Sequence, residues 1–161
     1  MRRVRLRAVD ATDSRTLLDW RNLPHVRHFM FGDHAITSEE HDGWFTAMLA
    51  DDSRAYWVIE WGSVPVGTAN LYDIDLVHQR ASSGVYLADP AVRGQGVGGA
   101  AEFLVLEHVF EEMRLKKLSA EVLAFNEPAL GMYRSFGFTQ DGVLRHHVKR
   151  GSEFHDVVIF S

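Results

Sequence analysis

The segment Val92–Phe103, VRGQGVGGAAEF, concentrates Gly94, Gly96, Gly98 and Gly99 between an Asp-Pro turn and an apolar run. A glycine loop that leads into a helix directs several backbone N–H groups at one point, and the helix dipole adds partial positive charge there. This arrangement suits a phosphate or pyrophosphate group, whose approach bulky side chains would block. The segment therefore predicts a binding site for a phosphate-bearing cofactor.

Two other interpretations of the glycines are open at this point. The spacing Gly94-x-Gly96-x-x-Gly99 matches the dinucleotide-binding fingerprint, and Glu121 follows at a distance that could suit its ribose-binding acid. That fingerprint normally follows its strand directly, whereas Asp89-Pro-Ala-Val-Arg intervenes here. A flexible turn that packs its helix closely is the purely structural alternative. A Walker loop is excluded, because no Gly-Lys-Ser/Thr follows.

The strand and helix patterns around the glycines predict the element order β-α-α-β-β-β-α-β-α-β-β. Residues 4–9 alternate apolar and basic side chains, as a strand does, and Thr37 to Glu40 form a capping box that begins a helix. The helix after the glycines, Gly98–Met113, is apolar almost all round and is expected to be central. We predict a mixed α/β fold with a mostly antiparallel sheet of about seven strands, about four helices and a βαβ unit at the cofactor site.

Composition limits the classes of protein that the chain can belong to. With 161 residues, the chain is predicted to form one domain over residues 1–161. A net charge of -5 argues against nucleic-acid binding. The absence of cysteine excludes a disulfide scaffold, a thiolate metal site and a cysteine nucleophile, and no tight histidine spacing supports any metal site. Neither a signal-type apolar region nor a membrane-length apolar run is present, so a cytoplasmic location without membrane attachment is expected.

Two motifs together resemble one enzyme family over nearly the whole chain. Arg93-Gly-Gln-Gly-Val-Gly reads as R/Q-x-x-G-x-G/A, and NEPALGMYRSFGF reads as N-x-x-A-x-x-x-Y-x-x-x-G-F. The positions that match the second motif are Asn126, Ala129, Tyr133, Gly137 and Phe138. With the predicted element order, these segments are similar to the GCN5-related N-acetyltransferases (the GNAT superfamily). The resemblance implies the GNAT fold, acetyl-CoA as cofactor and acetyl transfer to a primary amine.

The resemblance also implies how acetyl-CoA is held. The glycine loop grips its pyrophosphate, and the preceding strand splays from its neighbour so that free backbone groups pair with the pantetheine arm. A backbone N–H near Tyr86 or Leu87 then stabilises the negative charge on the acetyl oxygen. The cofactor-binding residues implied in this way are Val85, Tyr86, Leu87, Arg93, Gly94, Gln95, Gly96, Val97, Gly98, Gly99, Asn126 and Tyr133.

Amide formation from a thioester needs an acid for the departing thiolate and a base for the amine. By resemblance, Tyr133 lies near the cofactor sulfur and is the expected acid. Glu121 is the candidate base, since a carboxylate among Val122, Leu123 and Phe125 can have a raised pKa. An ordinary surface glutamate is the equally weighted alternative. The rival bases are His25, His28, His146 and His147.

The front of the chain carries a finer resemblance. WRNLPHVRHFM, followed by EEHDGWF, is similar to bacterial acetyltransferases of nucleotide-linked 4-amino sugars, of the pseudaminic-acid-biosynthesis type. Arg21 and Arg27 could pair with the nucleotide diphosphate of such a substrate. The predicted substrate-binding residues are Trp20, Arg21, Asn22, His25 and Met30.

Other acceptors and roles are open on the sequence. The RimJ/RimL-like protein N-terminal acetyltransferases share a related pattern, and a small amine such as an antibiotic is a further acceptor class. A non-catalytic acyl-CoA sensor is the alternative outside the enzymes. Homodimer formation is also open, because the β-rich C-terminal half could expose a strand edge.

Overall fold

Seven strands and five helices make up residues 3–161, the part of the chain that the computed structural model describes. The strands are β1 (Val4–Ala8), β2 (Ala55–Trp61), β3 (Val64–Asp75), β4 (Arg80–Leu87), β5 (Lys117–Leu123), β6 (Gln140–Arg150) and β7 (Glu153–Phe160). The helices are α1 (Ser14–Asn22), α2 (Pro24–Arg27), α3 (Ser38–Leu49), α4 (Val97–Glu107) and α5 (Glu127–Ser135).

The strands form one sheet in the order β1-β2-β3-β4-β5-β7-β6. Every neighbouring pair is antiparallel except β4 and β5, which are parallel and are connected through α4. The predicted fold class, a mostly antiparallel sheet of seven strands with a βαβ unit, is therefore confirmed. No helix among residues 3–161 is long and apolar enough to cross a membrane.

The front helical region is divided into two helices by a proline. Leu23 has an extended backbone, with ψ at 132°, and Pro24 then begins α2. A residue before proline is disfavoured in the helical conformation, so the chain turns at Leu23 and restarts as a short helix. This division accounts for the fifth helix, where the sequence predicts about four.

The central helix is shorter than predicted. Instead of running to Met113, α4 ends at Glu107 and continues as a π-helical segment, His108–Glu112. The Met113 N–H accordingly bonds five residues back, to the His108 carbonyl at 2.9 Å. Val97, Ala101 and Val105 of α4 are fully buried against the sheet, as expected of a central helix.

The two faces of the sheet carry different helices. On one side, called here the α4–α5 face, α4 covers the front strands and Tyr133 of α5 packs with Ala120 and Phe160. On the other side, called the α1–α3 face, Leu17 of α1 and Phe45 of α3 are buried in a separate cluster. Successive strand residues point to opposite faces of the sheet. Side chains on the two faces can therefore approach one another where neighbouring strands separate.

The sheet opens between its two parallel strands. Arg80–Ser82 of β4 pair with Lys117–Ser119 of β5, and the pairing stops there. From Ala120 onward β5 pairs with β7, while Ser83–Leu87 of β4 pair only with β3. We call the space between Ser83–Leu87 and Ala120–Leu123 the gap. The splay implied by the family resemblance is present at this position.

Candidate active site

The loop before α4, residues 93–99 and here called the glycine loop, leaves its backbone open. Gly94 and Gly96 adopt left-handed conformations, with φ of 73° and 77°, and Gly96 is the N-cap of α4 without a side-chain cap bond. A Cβ added at Gly94 or Gly96 would meet no atom within 4 Å. Close packing therefore does not explain these glycines, whereas the left-handed turn does. The first N–H groups of α4, which lack partners within the helix, are left to an external acceptor.

The glycine loop and the gap together fit acetyl-CoA. An uncapped helix N-terminus suits a pyrophosphate, and the unpaired edge of β4 offers backbone groups to the amides of a pantetheine arm. Val85, Tyr86 and Leu87 form this edge and are half-buried. Gly67 of β3 fixes its position, because a Cβ there would overlap the Tyr86 carbonyl oxygen and lie 2.9 Å from Leu87 Cα.

Arg93, Gln95 and Asn126 also lie at this end of the sheet. Arg93 and Gln95 are exposed, and the Gln95 side chain donates to the Ala91 carbonyl at 3.1 Å. Asn126 caps α5, where its side-chain oxygen accepts from the Ala129 N–H at 3.3 Å. Arg93 thus places its charge near the glycine loop, and Gln95 places its amide there. The Asn126 side chain has a structural role.

Tyr133 lies on the α4–α5 face and is buried, with 4% of its surface exposed. Its ring packs edge-on to Phe138 at 5.0 Å and stacks with Phe160 at 5.8 Å. Burial raises the pKa of Tyr133 well above the ordinary value, and the Ser83 hydroxyl opposes that shift. The phenol is therefore neutral at physiological pH and retains its proton.

Glu121 lies on the opposite face from Tyr133. Its neighbours Ala120 and Val122 are buried toward α5, so the exposed Glu121 side chain points to the α1–α3 face. There its charge adds to burial in raising the pKa of Tyr72 to about 12. The structure thus places the two predicted catalytic residues on different faces, on either side of the gap.

The predicted substrate-binding residues have mixed roles. Trp20 packs against the α1–α3 cluster, and the Asn22 amide bonds the Ile36 backbone at 2.9 and 2.8 Å, so both support the fold. His25 Nε2 donates to the Ala88 carbonyl at 2.8 Å, just beyond the free edge of β4. Met30 is half-buried after α2.

Arg21, Arg27 and Arg150 form an arginine cluster beside the gap. Burial lowers the pKa of Arg21, and the charges of Arg27 and Arg150 lower it further, while Tyr86 at the β4 edge opposes the shift. The Arg150 guanidinium donates to the Arg27 carbonyl at 3.3 Å and lies 5.5 Å from the Phe125 ring centre. Arg21 Nη1 and Arg150 Nε are buried and have no hydrogen-bond partner within the described part of the chain, residues 3–161.

None of these three arginines forms an ion pair with an acid within residues 3–161. Sequence reasoning identified Arg21 and Arg27 but missed Arg150. The contact between Arg150 and Arg27 spans 123 residues of sequence, so no local pattern could have indicated it.

A groove of roughly 430 Å³ continues from the cluster. Its lining residues are Ala124, Phe125, His146, Phe154, His155 and Asp156. The Phe125 and His155 rings meet edge to face at 5.0 Å, and Phe125 also contacts Arg150. We call this the aromatic groove. It is an open depression with two phenylalanine rings in its lining.

Glu102 is a further residue that sequence reasoning missed. It lies on α4, is fully buried, and neither carboxyl oxygen has a hydrogen-bond partner among residues 3–161. Desolvation raises its pKa to about 7. The one signal in the sequence was an acidic residue inside an otherwise apolar helix.

Comparison with known proteins agrees with this geometry. A family model described as "Acetyltransferase (GNAT) domain" matches residues 3–139. Spermidine N(1)-acetyltransferase of Escherichia coli K12 is 26% identical over 155 residues, which cover 96% of this chain and 83% of that one. Acetyltransferase PseH of Campylobacter jejuni is 26% identical over 123 residues, or 76% of this chain and 74% of that one. The crystal structure of spermidine N-acetyltransferase from Vibrio cholerae with CoA and spermine has a TM-score of 0.89 at 21% identity, covering 98% of this chain and 93% of that chain.

Proposed function

The chain belongs to the GNAT acetyltransferase family, as an N-acetyltransferase with acetyl-CoA as donor, and we propose that its acceptor is the amine of a nucleotide-linked amino sugar. The finer resemblance in the front segment supports this acceptor, and PseH is among the relatives. The observation that carries the proposal is the arginine cluster beside the gap. A spermidine acceptor is the competing candidate, since a relative with that activity is 26% identical.

Electrostatics favour an anionic acceptor over a polyamine. The chain as a whole is acidic, with 22 Asp and Glu against 17 Lys and Arg. Three arginines nevertheless converge here, and no acid of the described residues pairs with them. A polycation such as spermidine would be repelled by them. A diphosphate would supply the missing partners, and each charge-assisted hydrogen bond contributes roughly 1.5–3 kcal/mol.

The aromatic groove provides a place for the rest of the nucleotide. Because Arg150 contacts both Arg27 and Phe125, a diphosphate on the cluster leaves its nucleoside next to the groove. Phe125 and Phe154 offer ring faces for stacking, and His146 and His155 offer hydrogen-bonding groups. The sugar amine at the other end of the diphosphate can then reach the gap.

The residues around the gap can share the chemistry between the two faces. Acetyl-CoA supplies the acetyl thioester. Backbone N–H groups near Tyr86 or Leu87 stabilise the charge that develops on the acetyl oxygen. From the α1–α3 face Glu121 accepts the proton of the amine, directly or through water, and from the α4–α5 face Tyr133 donates a proton to the sulfur. The chain has no cysteine to carry an acyl group, so transfer is direct.

The test is an acceptor panel assayed by release of free thiol. Because the chain contains no cysteine, every thiol detected with Ellman's reagent comes from CoA. UDP- and dTDP-linked 4-amino sugars, spermidine, spermine and a peptide with a free N-terminus are compared at fixed acetyl-CoA. We expect a nucleotide-linked amino sugar to give the highest kcat/KM. A higher kcat/KM for spermidine or for the peptide would overturn the acceptor assignment and leave the acetyltransferase itself standing.

A further inference from the structure

Glu102 is buried in a position that normally excludes a charged group. Its side chain has no exposed surface, and both carboxyl oxygens lack hydrogen-bond partners among residues 3–161. A carboxylate that merely filled space there would cost more than a leucine or a methionine. Because Glu102 is a buried acid without these partners and lies beside a reactive site, we expect it to have a chemical role.

The rotation of α4 places Glu102 between β4 and α5. Gly98 faces Leu87 of β4, because a Cβ there would lie 3.6 Å from Leu87 Cδ1, and Gly99 faces the Phe136 ring just after α5, at 3.7 Å. Glu102 follows these glycines by four and three residues, so it lies on the same side of the helix. Glu102 thus lies on the side of α4 that faces β4 and the end of α5, the helix that carries Tyr133.

Tyr133 is the titratable group on which the charge of Glu102 acts, and Tyr72 of β3 acts on Tyr133 as well. The charge of Glu102 contributes to the raised pKa of Tyr133, and β4 adds the buried Ser83 hydroxyl, whose oxygen has no partner at full hydrogen-bond geometry. From β1 and β3 the side chains packed against α4 are apolar, Leu6 and Val66 among them. His108, beyond the end of α4, is paired with Glu112 at 2.7 Å.

We propose that Glu102 is a positioning residue that holds, in its protonated form, the proton that restores Tyr133 after each turnover. The inference rests on Tyr133 as the proton donor of the proposed mechanism. When the Tyr133 O–H bond breaks, its proton forms the S–H bond of free CoA and a phenolate remains. The Glu102 O–H bond then breaks, and its proton reforms the Tyr133 hydroxyl through the Ser83 hydroxyl or a bridging water, because no direct hydrogen bond joins Glu102 to Tyr133 among residues 3–161. The resulting carboxylate recovers a proton from solvent when the products leave.

The kinetic test compares Glu102→Gln with the wild type in kcat against pH. Since the protonated acid is the active form, wild-type kcat should fall as the pH rises through neutrality. Glu102→Gln keeps the shape of the side chain but cannot titrate, so we expect kcat to fall about tenfold and the falling limb to disappear. Glu102→Asp should restore the falling limb in part. Glu107→Gln, an exposed substitution on the same helix, is the control and should leave both unchanged.

A spectroscopic test needs no acceptor substrate and so separates this inference from the proposed function. Infrared difference spectra should contain the C=O band of a protonated buried carboxyl near neutral pH. The band should vanish in Glu102→Gln and shift in Tyr133→Phe. A missing band, or one unmoved by Tyr133→Phe, would overturn the proposal. So would a Glu102→Leu variant that melts at a higher temperature and keeps both kcat and the wild-type pH profile.

Discussion

Toward the cofactor, the molecule offers backbone groups from one continuous stretch, residues 83–99, whereas toward the acceptor it offers side chains from three separate elements. In the proposed complex, the glycine loop and the free edge of β4 would bind acetyl-CoA through N–H and C=O groups that almost any sequence carries. The arginine cluster would bind the proposed acceptor through guanidinium groups from α1, α2 and the end of β6. A backbone site is preserved as long as the chain path is kept, while a side-chain site changes with single substitutions. The donor can thus stay constant while the acceptor varies.

The largest effect is expected from Tyr133, whose titratable side chain lies on the α4–α5 face, beside the gap. Tyr133→Phe removes the hydroxyl but keeps the ring that packs against Phe138 and Phe160. We expect kcat to fall by about 10² or more, the usual contribution of a general acid, with little change in acetyl-CoA affinity. Steady-state kinetics and calorimetric titration measure the two quantities. Equal losses in kcat and in affinity would assign Tyr133 to binding instead.

The second largest effect is expected from the arginine cluster, and it distinguishes acceptor binding from cofactor binding. Replacing Arg21 and Arg150 together by glutamine removes two charge-assisted bonds to a diphosphate, so KM for the nucleotide-linked acceptor should rise by about 100-fold or more. The Kd of acetyl-CoA should not change. Arg15→Gln, an exposed change on α1 at a residue paired with Asp19, is the matched control. A similar rise in KM for Arg15→Gln would show that the loss of any positive charge, and not of the arginine cluster in particular, causes the effect.

A smaller effect is expected from the backbone of the glycine loop. Gly96 has φ at 77°, and a residue with a Cβ pays about 1–2 kcal/mol for that conformation. Gly96→Val should therefore weaken acetyl-CoA binding about tenfold and leave acceptor KM nearly unchanged. Gly43→Ala, inside α3 and with no atom within 4 Å of the added Cβ, is the control. Unchanged acetyl-CoA affinity in Gly96→Val would mean that the loop does not hold the pyrophosphate.

The smallest effect is the expected change of KM with ionic strength. Guanidinium contacts to a diphosphate are screened by ions, while hydrogen bonds from a fixed backbone are screened less. Raising the ionic strength should therefore increase KM for the acceptor by about two- to threefold, with a smaller change in KM for acetyl-CoA. Initial rates over a series of salt concentrations provide the comparison. If KM for acetyl-CoA depended on ionic strength more strongly than KM for the acceptor, the assignment of the charged contacts to the acceptor side would be wrong.

The same contrast explains how much the sequence predicted. The fold and the identity of the cofactor depend on motifs contained in short segments, such as residues 93–99 and 126–138, and were predictable. Arg150 reaches Arg27 only because the β6–β7 hairpin returns to the front helices. Glu102 was missed because a helix that is apolar almost all round gives no indication of which side meets α5. Pro24 is a local signal for the break between α1 and α2, and α2 begins at that proline.

The gap has a further consequence for how the molecule unfolds. The two parts of the sheet, β1–β4 and β5–β7, are joined by the short ladder of Arg80–Ser82 with Lys117–Ser119. In amide hydrogen exchange without ligand, we expect the two parts to open as separate units, with β5–β7 and β1–β4 showing different protection. A cofactor that bonds across the gap would join them, because a ligand that binds only the closed sheet stabilises both parts together. The cofactor would then act as the missing strand of the sheet as well as the acetyl donor.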